Sequence, residues 1–194
     1  MKGILNLSPK TMEHLTDALV DSLAYSDSKL AYPSLDNVRA DDGLPAEWFY
    51  KAVNGSNSTS ELTAIMQYSN QEAQFESIGE LTLGIALVEM KHYGKLSELI
   101  AKLGGRVDSS FSAKSVETGK TPIEALTNDI RSEEATIKEY ESLYNKIDKI
   151  KNKTPTIEVA LQLIAKITAD ERLHIQLLNK MLKDMKAFSQ SSEK

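Results

Sequence analysis

The chain has 194 residues, a net charge of -5, 26% charged residues and no cysteine. That length supports one sizeable core, and a modest, dispersed negative charge argues against nucleic acid or anionic lipid as a partner. The missing cysteine excludes disulfides, thiolate metal sites, Fe–S clusters and thiol nucleophiles, so any metal must be held by carboxylates and imidazoles. No apolar run approaches a membrane span and residues 1–7 form no charged-then-apolar leader, so a soluble cytoplasmic protein with no membrane partner is expected.

Along the chain, Ser8-Pro9 reads as an N-cap followed by proline in the first helical turn, with Met12, Leu15, Leu19 and Leu23 at helical spacing. His14 on this short helix reads as an ordinary surface or packing histidine. Residues 26–45 read as a loop, with Pro33 and an Asp41-Asp42-Gly43 turn. A short helix over 46–53 closes at Gly55. The first long helix is expected from near Ser58 to about Phe75, and the second from Ser77 to Leu103, ended by Gly104-Gly105. Thr121-Pro122-Ile123-Glu124 combines N-cap, N1 proline and capping-box glutamate for a third, running to about Ile150. Thr154-Pro155 opens a fourth, expected to end near Met185, with a polar tail after it.

The first two and the last two long helices are joined by short connections and should pair as antiparallel hairpins. Between the hairpins lie the 17 residues Gly104 to Lys120. Extended, such a stretch reaches ~55 Å, more than the ~43 Å length of the third helix. The expected fold is therefore all-α: a four-helix bundle over 58–186 with one long crossover, a helical extension over 1–57, and the tail 187–194.

Spacings of four and three pick out one buried stripe per helix. The second helix gives Ile78, Thr82, Ile85, Glu89, His92, Leu96, Leu99 and Leu103. The fourth gives Ala160, Ile164, Ile167, Glu171, His174, Leu178, Met181 and Met185. The third gives Leu126, Ile130, Glu133, Ile137, Tyr140, Tyr144 and Ile147, and the first gives Glu61, Ile65, Tyr68, Glu72 and Phe75. Two of the three histidines thus sit in Glu-x-x-His pairs, Glu89/His92 and Glu171/His174. Glu and His three apart share a helix face and can reach one ion. A lone pair of this kind is usually solvated, but here exposing it would expose the flanking Ile and Leu as well. Each pair is preceded by a Glu-x3-Ile-x2-Tyr segment, Glu61 to Tyr68 and Glu133 to Tyr140.

Four facing buried carboxylates are untenable as unpaired anions, whereas two divalent cations cancel Glu61, Glu89, Glu133 and Glu171 and take His92 and His174 as neutral ligands. Two iron ions suit this set, and manganese or zinc would also fit. Two roles stay open for Glu61. It could instead close a Ser58-Thr-Ser-Glu61 capping box, which would leave Glu72 as the ligand from the first helix. Tyr68 and Tyr140, two turns beyond Glu61 and Glu133, are either core fillers or hydrogen-bond donors and redox-active phenols beside the metals. Asp170 is a candidate acceptor for a ligand histidine's N–H, with a surface role as the alternative.

The segments Glu61-Leu-Thr-Ala-Ile-Met-Gln-Tyr68, Ile85-Ala-Leu-Val-Glu-Met-Lys-His92 and Ala169-Asp-Glu-Arg-Leu-His174, with the Leu103-Gly-Gly105 helix end, resemble the ferritin-like superfamily, and within it rubrerythrins and bacterioferritins. The likeness runs from about Ser58 to Met185. It implies a di-iron oxidoreductase that handles Fe(II) with O2 or hydrogen peroxide, of ferroxidase or peroxidase type. Iron storage without turnover and manganese catalase-like chemistry are the alternatives. Rubrerythrins add a four-cysteine electron-feeding module and a further glutamate where this chain has Thr136, so an external electron donor is implied. Bacterioferritins can bind haem through a methionine at a dimer interface; Met90 occupies the corresponding place here, with packing as its expected role. A homodimer is one assembly the resemblance allows.

Overall fold

A computed structural model describes residues 24–107 and 110–192 of the chain. Its named elements are helical: α1 (Tyr50–Val53), α2 (Glu61–Gln74), α3 (Gly79–Lys102), α4 (Pro122–Asp148) and α5 (Pro155–Ser192), with single 3-10 turns at 40–42, 46–48 and 113–115. The helix expected around Ser8 and His14 lies outside the described residues. None of the described helices is long and apolar enough to cross a membrane.

The local signals explain most of the boundaries. Ser60 caps α2 by accepting from the Thr63 amide, and Thr121 caps α4 by accepting from the Glu124 amide, with Pro122 in the first turn. The end of α3 is a Schellman turn: Gly104 takes a left-handed φ of 80°, its amide bonds Ala101, and the Gly105 amide bonds Ile100. Two expectations need correction. The cap of α2 is Ser60 and not Ser58, so Glu61 is the first helical residue and no capping box forms. Helix α5 runs on to Ser192, past the stop expected near Met185.

Helices α2 and α3 pack as one antiparallel pair and α4 and α5 as the other, with α3 against α5 across the bundle. The crossover from α3 to α4 runs past the start of α2, where the Gly55 amide donates to Ser110 and the Ser112 amide donates back to Gly55. The architecture is a four-helix bundle with one long crossover. The extension contributes to the core: Leu35, Val38, Leu44, Ala46, Phe49 and Val53 are buried against Leu96, Leu99, Ile157 and Leu163 at one end of the bundle. A second apolar cluster, built on Tyr68, Ile78, Leu81, Ile85, Leu126 and Leu178, fills the other end. Glu89, His92, Glu171 and His174 belong to neither cluster and are themselves buried.

The stripes on α3 and α5 are buried as expected over 78–103 and 160–178, while Met181 and Met185 are only half-buried. On α2 and α4 the buried face is rotated. Glu72 is exposed, as is Tyr144, and Ile65, Ile130 and Ile137 are half-buried; Gln67, Gln71, Asp129 and Thr136 are buried instead. A straight helix repeats every 3.6 residues and drifts off a strict 3.5 stripe, and short α2 is governed by its polar neighbours on α4.

Candidate metal centre

Six side chains from four helices meet between the two apolar clusters: Glu61 on α2, Glu89 and His92 on α3, Glu133 on α4, Glu171 and His174 on α5. Each is at most 4% exposed. Glu61, Glu89, His92 and Glu171 each offer an atom within 4.8 Å of the others, and so do Glu89, Glu133, Glu171 and His174. Glu89 and Glu171 belong to both groups.

The contacts explain why they converge. The Glu-x-x-His spacing places His92 Nδ1 3.2 Å from Glu89 Oε2 and His174 Nδ1 3.0 Å from Glu171 Oε2. Across the bundle, His92 Nδ1 lies 3.3 Å from Glu171 Oε1 and 3.4 Å from Glu61 Oε2, and His174 Nδ1 lies 3.1 Å from Glu89 Oε1 and 3.9 Å from Glu133 Oε1. Each ring nitrogen therefore faces three carboxylates. The second nitrogens point away: His92 Nε2 is 3.1 Å from Asp170 Oδ2, and His174 Nε2 is 3.1 Å from the Tyr25 carbonyl. A carbonyl can only accept, so His174 carries a proton on Nε2.

The two Glu-x3-Ile-x2-Tyr segments lock across each other. The Tyr68 hydroxyl donates to Glu133 Oε1, and the Tyr140 hydroxyl donates to Glu61 Oε1. Each phenol holds the carboxylate of the opposite segment: Glu61 keeps Oε2 turned toward His92, while Glu133 Oε1 takes the phenol and also faces His174. Glu72 is on the surface, and Glu61 takes the α2 position. Asp170 is buried and accepts from His92, which resolves its alternatives in favour of the interior role.

Buried Glu61 Oε2, Glu89 Oε1 and Glu171 Oε1 have no hydrogen-bond partner. Orphaned buried carboxylate oxygens are costly, and one N–H per imidazole cannot satisfy three oxygens. Cations in their midst would satisfy them, and the all-oxygen-and-imidazole donor set suits iron, manganese or zinc. The residues present fit a dinuclear metal group.

Without cations, protons have to serve. Burial, reinforced by the charge of Glu89, holds Glu61 well above the usual carboxylate range; burial with Glu171 and Glu89 does the same to Glu133. Burial works against charge on Glu89 too, but the close approach of the His174 and His92 rings prevails and holds it well below that range. Burial disfavours a charged His174, yet the carboxylates of Glu171 and Glu89 beside it push it up to about 9. A raised pKa contributes stability that is complete below the unfolded value and is lost as pH rises through the folded one. The melting temperature of metal-free protein should thus fall between pH 6.5 and about 9 as His174 titrates, with Glu61 and Glu133 adding to the loss. Glu89 acts oppositely, but only as pH drops below 4.5. Calorimetry across this range checks it; a melting temperature that climbs with pH would contradict it.

The sequence reading missed a polar layer beside the centre. Gln67 and Gln71 both donate to Asp129 Oδ1, at 2.7 and 2.8 Å, and burial pushes Asp129 up to about 7 against those two bonds. Gln67 also accepts from the Glu117 amide of the crossover. The only sequence signal was Gln-x3-Gln on one helix face, which reads equally well as surface. A cavity of about 10 Å³, lined by Glu61, Glu89 and Glu133 with Gln67, Ser132 and Thr136, reaches the site from this side.

Comparison with known proteins agrees with this fold. The family model of the ferritin-like domain matches residues 56–188. No curated protein sequence matches the chain. Among solved structures, Rhodobacter capsulatus bacterioferritin is similar, with a TM-score of 0.61 and 22% identity over 71% of this chain and 82% of that one. That protein has a dinuclear site, metal-free in the structure compared, and a haem iron. With the family match spanning more than half its length, the chain belongs to the ferritin-like domain family.

Proposed function

We propose that this protein is a dinuclear metal carboxylate protein, with two irons as the expected pair, acting as an oxidoreductase on O2 or hydrogen peroxide. The observation that carries this reading is the pair of overlapping four-residue groups sharing Glu89 and Glu171, whose inward oxygens lack partners. Glu61 and His92 would complete one metal position, and Glu133 and His174 the other. The dinuclear site of Rhodobacter capsulatus bacterioferritin supports the same assignment.

When bound, a pair of irons supplies the two electrons that reduce the oxidant: two Fe(II), one hydrogen peroxide and two protons give two Fe(III) and two waters. The chain's own residues bind, orient and exclude. Tyr68 and Tyr140 hold Glu133 and Glu61 in place, each donating its hydroxyl proton to Oε1 of that carboxylate. Burial, with the charge of Glu133, raises Tyr68 well above the usual phenol range, so it stays a donor. Apolar clusters at both ends of the bundle keep bulk water from the site. An external electron donor returns the site to the reduced state for turnover.

Anaerobic Fe(II) titration followed by addition of O2 or peroxide tests the proposal. Uptake of about two irons per chain, then oxidation with about one peroxide consumed per two irons, is expected. Uptake below about one iron per chain, or bound iron inert to both oxidants, would refute it. A large multi-subunit cage on size exclusion, with no catalytic cycling, would instead favour storage.

A further inference from the structure

The two halves of the centre match residue for residue except outside the histidines. His92 Nε2 is held by Asp170, the residue immediately before Glu171. The corresponding position before Glu89 is Val88, buried and unable to accept a hydrogen bond. His174 is held instead by the backbone carbonyl of Tyr25, from outside the bundle. The same stretch of chain also reaches the other histidine. Asp170 accepts from the Tyr32 hydroxyl at 2.6 Å, the Asp27 amide at 2.6 Å and the Ser26 hydroxyl at 3.3 Å. Lys166, buried and 2.8 Å from Asp170, ties back to Ser26 Oγ at 2.9 Å and the Asp27 carbonyl at 2.6 Å.

A second observation shows how this stretch is seated. Gly84 lies inside α3, where glycine costs about 1 kcal/mol relative to alanine. A Cβ there would overlap the ring of Tyr25. The helix gives up propensity where the Tyr25 ring packs against its backbone, at a spot that no side chain larger than glycine's would leave open.

We propose that residues 25–32 form a strap that fixes the tautomer and aim of both site histidines, so that metal loading and strap docking are linked. Tyr25 positions His174 directly, and Tyr32 positions His92 through Asp170. With both Nε2 atoms donating outward, both Nδ1 lone pairs face the carboxylates, the form a metal requires. Lys166, on the same helix as Asp170, supplies the charge that balances it, so this outer pair adds no net anion to the centre. Linkage is reciprocal: whatever the docked strap adds to metal affinity, bound metal returns as resistance of the strap to opening. The inference rests on the dinuclear metal reading.

Co(II) is the probe, since its visible absorption reports ligand geometry independently of turnover. Gly84→Ala displaces Tyr25 while favouring the helix, and Tyr32→Phe removes one hydroxyl and keeps the ring. Each should weaken Co(II) binding about 10-fold or more and alter its visible spectrum, with helical content unchanged. In the wild-type chain, trypsin cleavage after exposed Lys29 should slow at least about 10-fold on Co(II) saturation. Variants with wild-type affinity and spectrum, together with metal-insensitive cleavage at Lys29, would overturn the strap proposal alone. Wild-type protein that takes up no Co(II) would overturn the metal reading and the strap with it.

Discussion

Replacing Glu89 or Glu171 by alanine is expected to empty both metal positions, whereas replacing Glu61 or Glu133 should empty only one. The difference follows from how the oxygens are shared. Glu89 directs Oε2 toward His92 and Oε1 toward His174, and Glu171 directs Oε1 toward His92 and Oε2 toward His174. Each spans the two positions, while Glu61 serves only the first group and Glu133 only the second. Bound metal should drop from about two per chain to near zero in Glu89→Ala and Glu171→Ala, and to about one in Glu61→Ala and Glu133→Ala. Competition titration and metal analysis of the four variants check this. Equal losses in all four would show that no carboxylate is shared.

Metal should also stabilise the fold strongly, and a variant unable to bind it should be the more stable metal-free protein. Two sites, each at about 1,000 times its dissociation constant, contribute about 8 kcal/mol together. In a chain of this size that corresponds to a rise of roughly 15–30 °C in melting temperature. The source is the relief of charge that the metal-free protein holds off with protons: Glu61 and Glu133 are raised, and three inward oxygens stand unpartnered. Glu61→Gln with Glu133→Gln removes two of the four acids while keeping their volume and their bonds from Tyr140 and Tyr68. The double variant should melt higher than the wild type without metal, and respond little to added metal. This is the stability cost of a binding site, made visible by removing it. A double variant that melts lower in the metal-free state would mean the carboxylates support the fold by themselves.

How legible this was in the sequence depended on which residues advertise their chemistry. Glu89/His92 and Glu171/His174 stood out because an ionisable pair interrupting an Ile/Leu stripe has few alternative explanations, and α3 and α5 bury that stripe almost without exception. Glu61 was ambiguous because three serines and threonines precede it and any of them caps a helix plausibly; only the Thr63 amide bonding Ser60 settles the register. Gln67, Gln71 and Asp129 were invisible as interior residues, since polar side chains on a helix face read as solvated until partners from another helix are known. The strap was out of reach for a different reason. Its contribution to His174 is a backbone carbonyl, which carries no side-chain signature, and its seat is a missing Cβ at Gly84, which reads as mere helix weakness. Long-range contacts of 138 and 149 residues, Tyr32 to Asp170 and Tyr25 to His174, leave no local pattern.

For the centre to work as proposed, cations must occupy the gap between Glu89 and Glu171. Anomalous diffraction at the iron edge, from crystals of anaerobically Fe(II)-loaded protein, measures this directly. It should show two peaks about 3.5–4 Å apart, one beside His92 Nδ1 and one beside His174 Nδ1. A gap without anomalous density, with iron found only at exposed carboxylates, would contradict it.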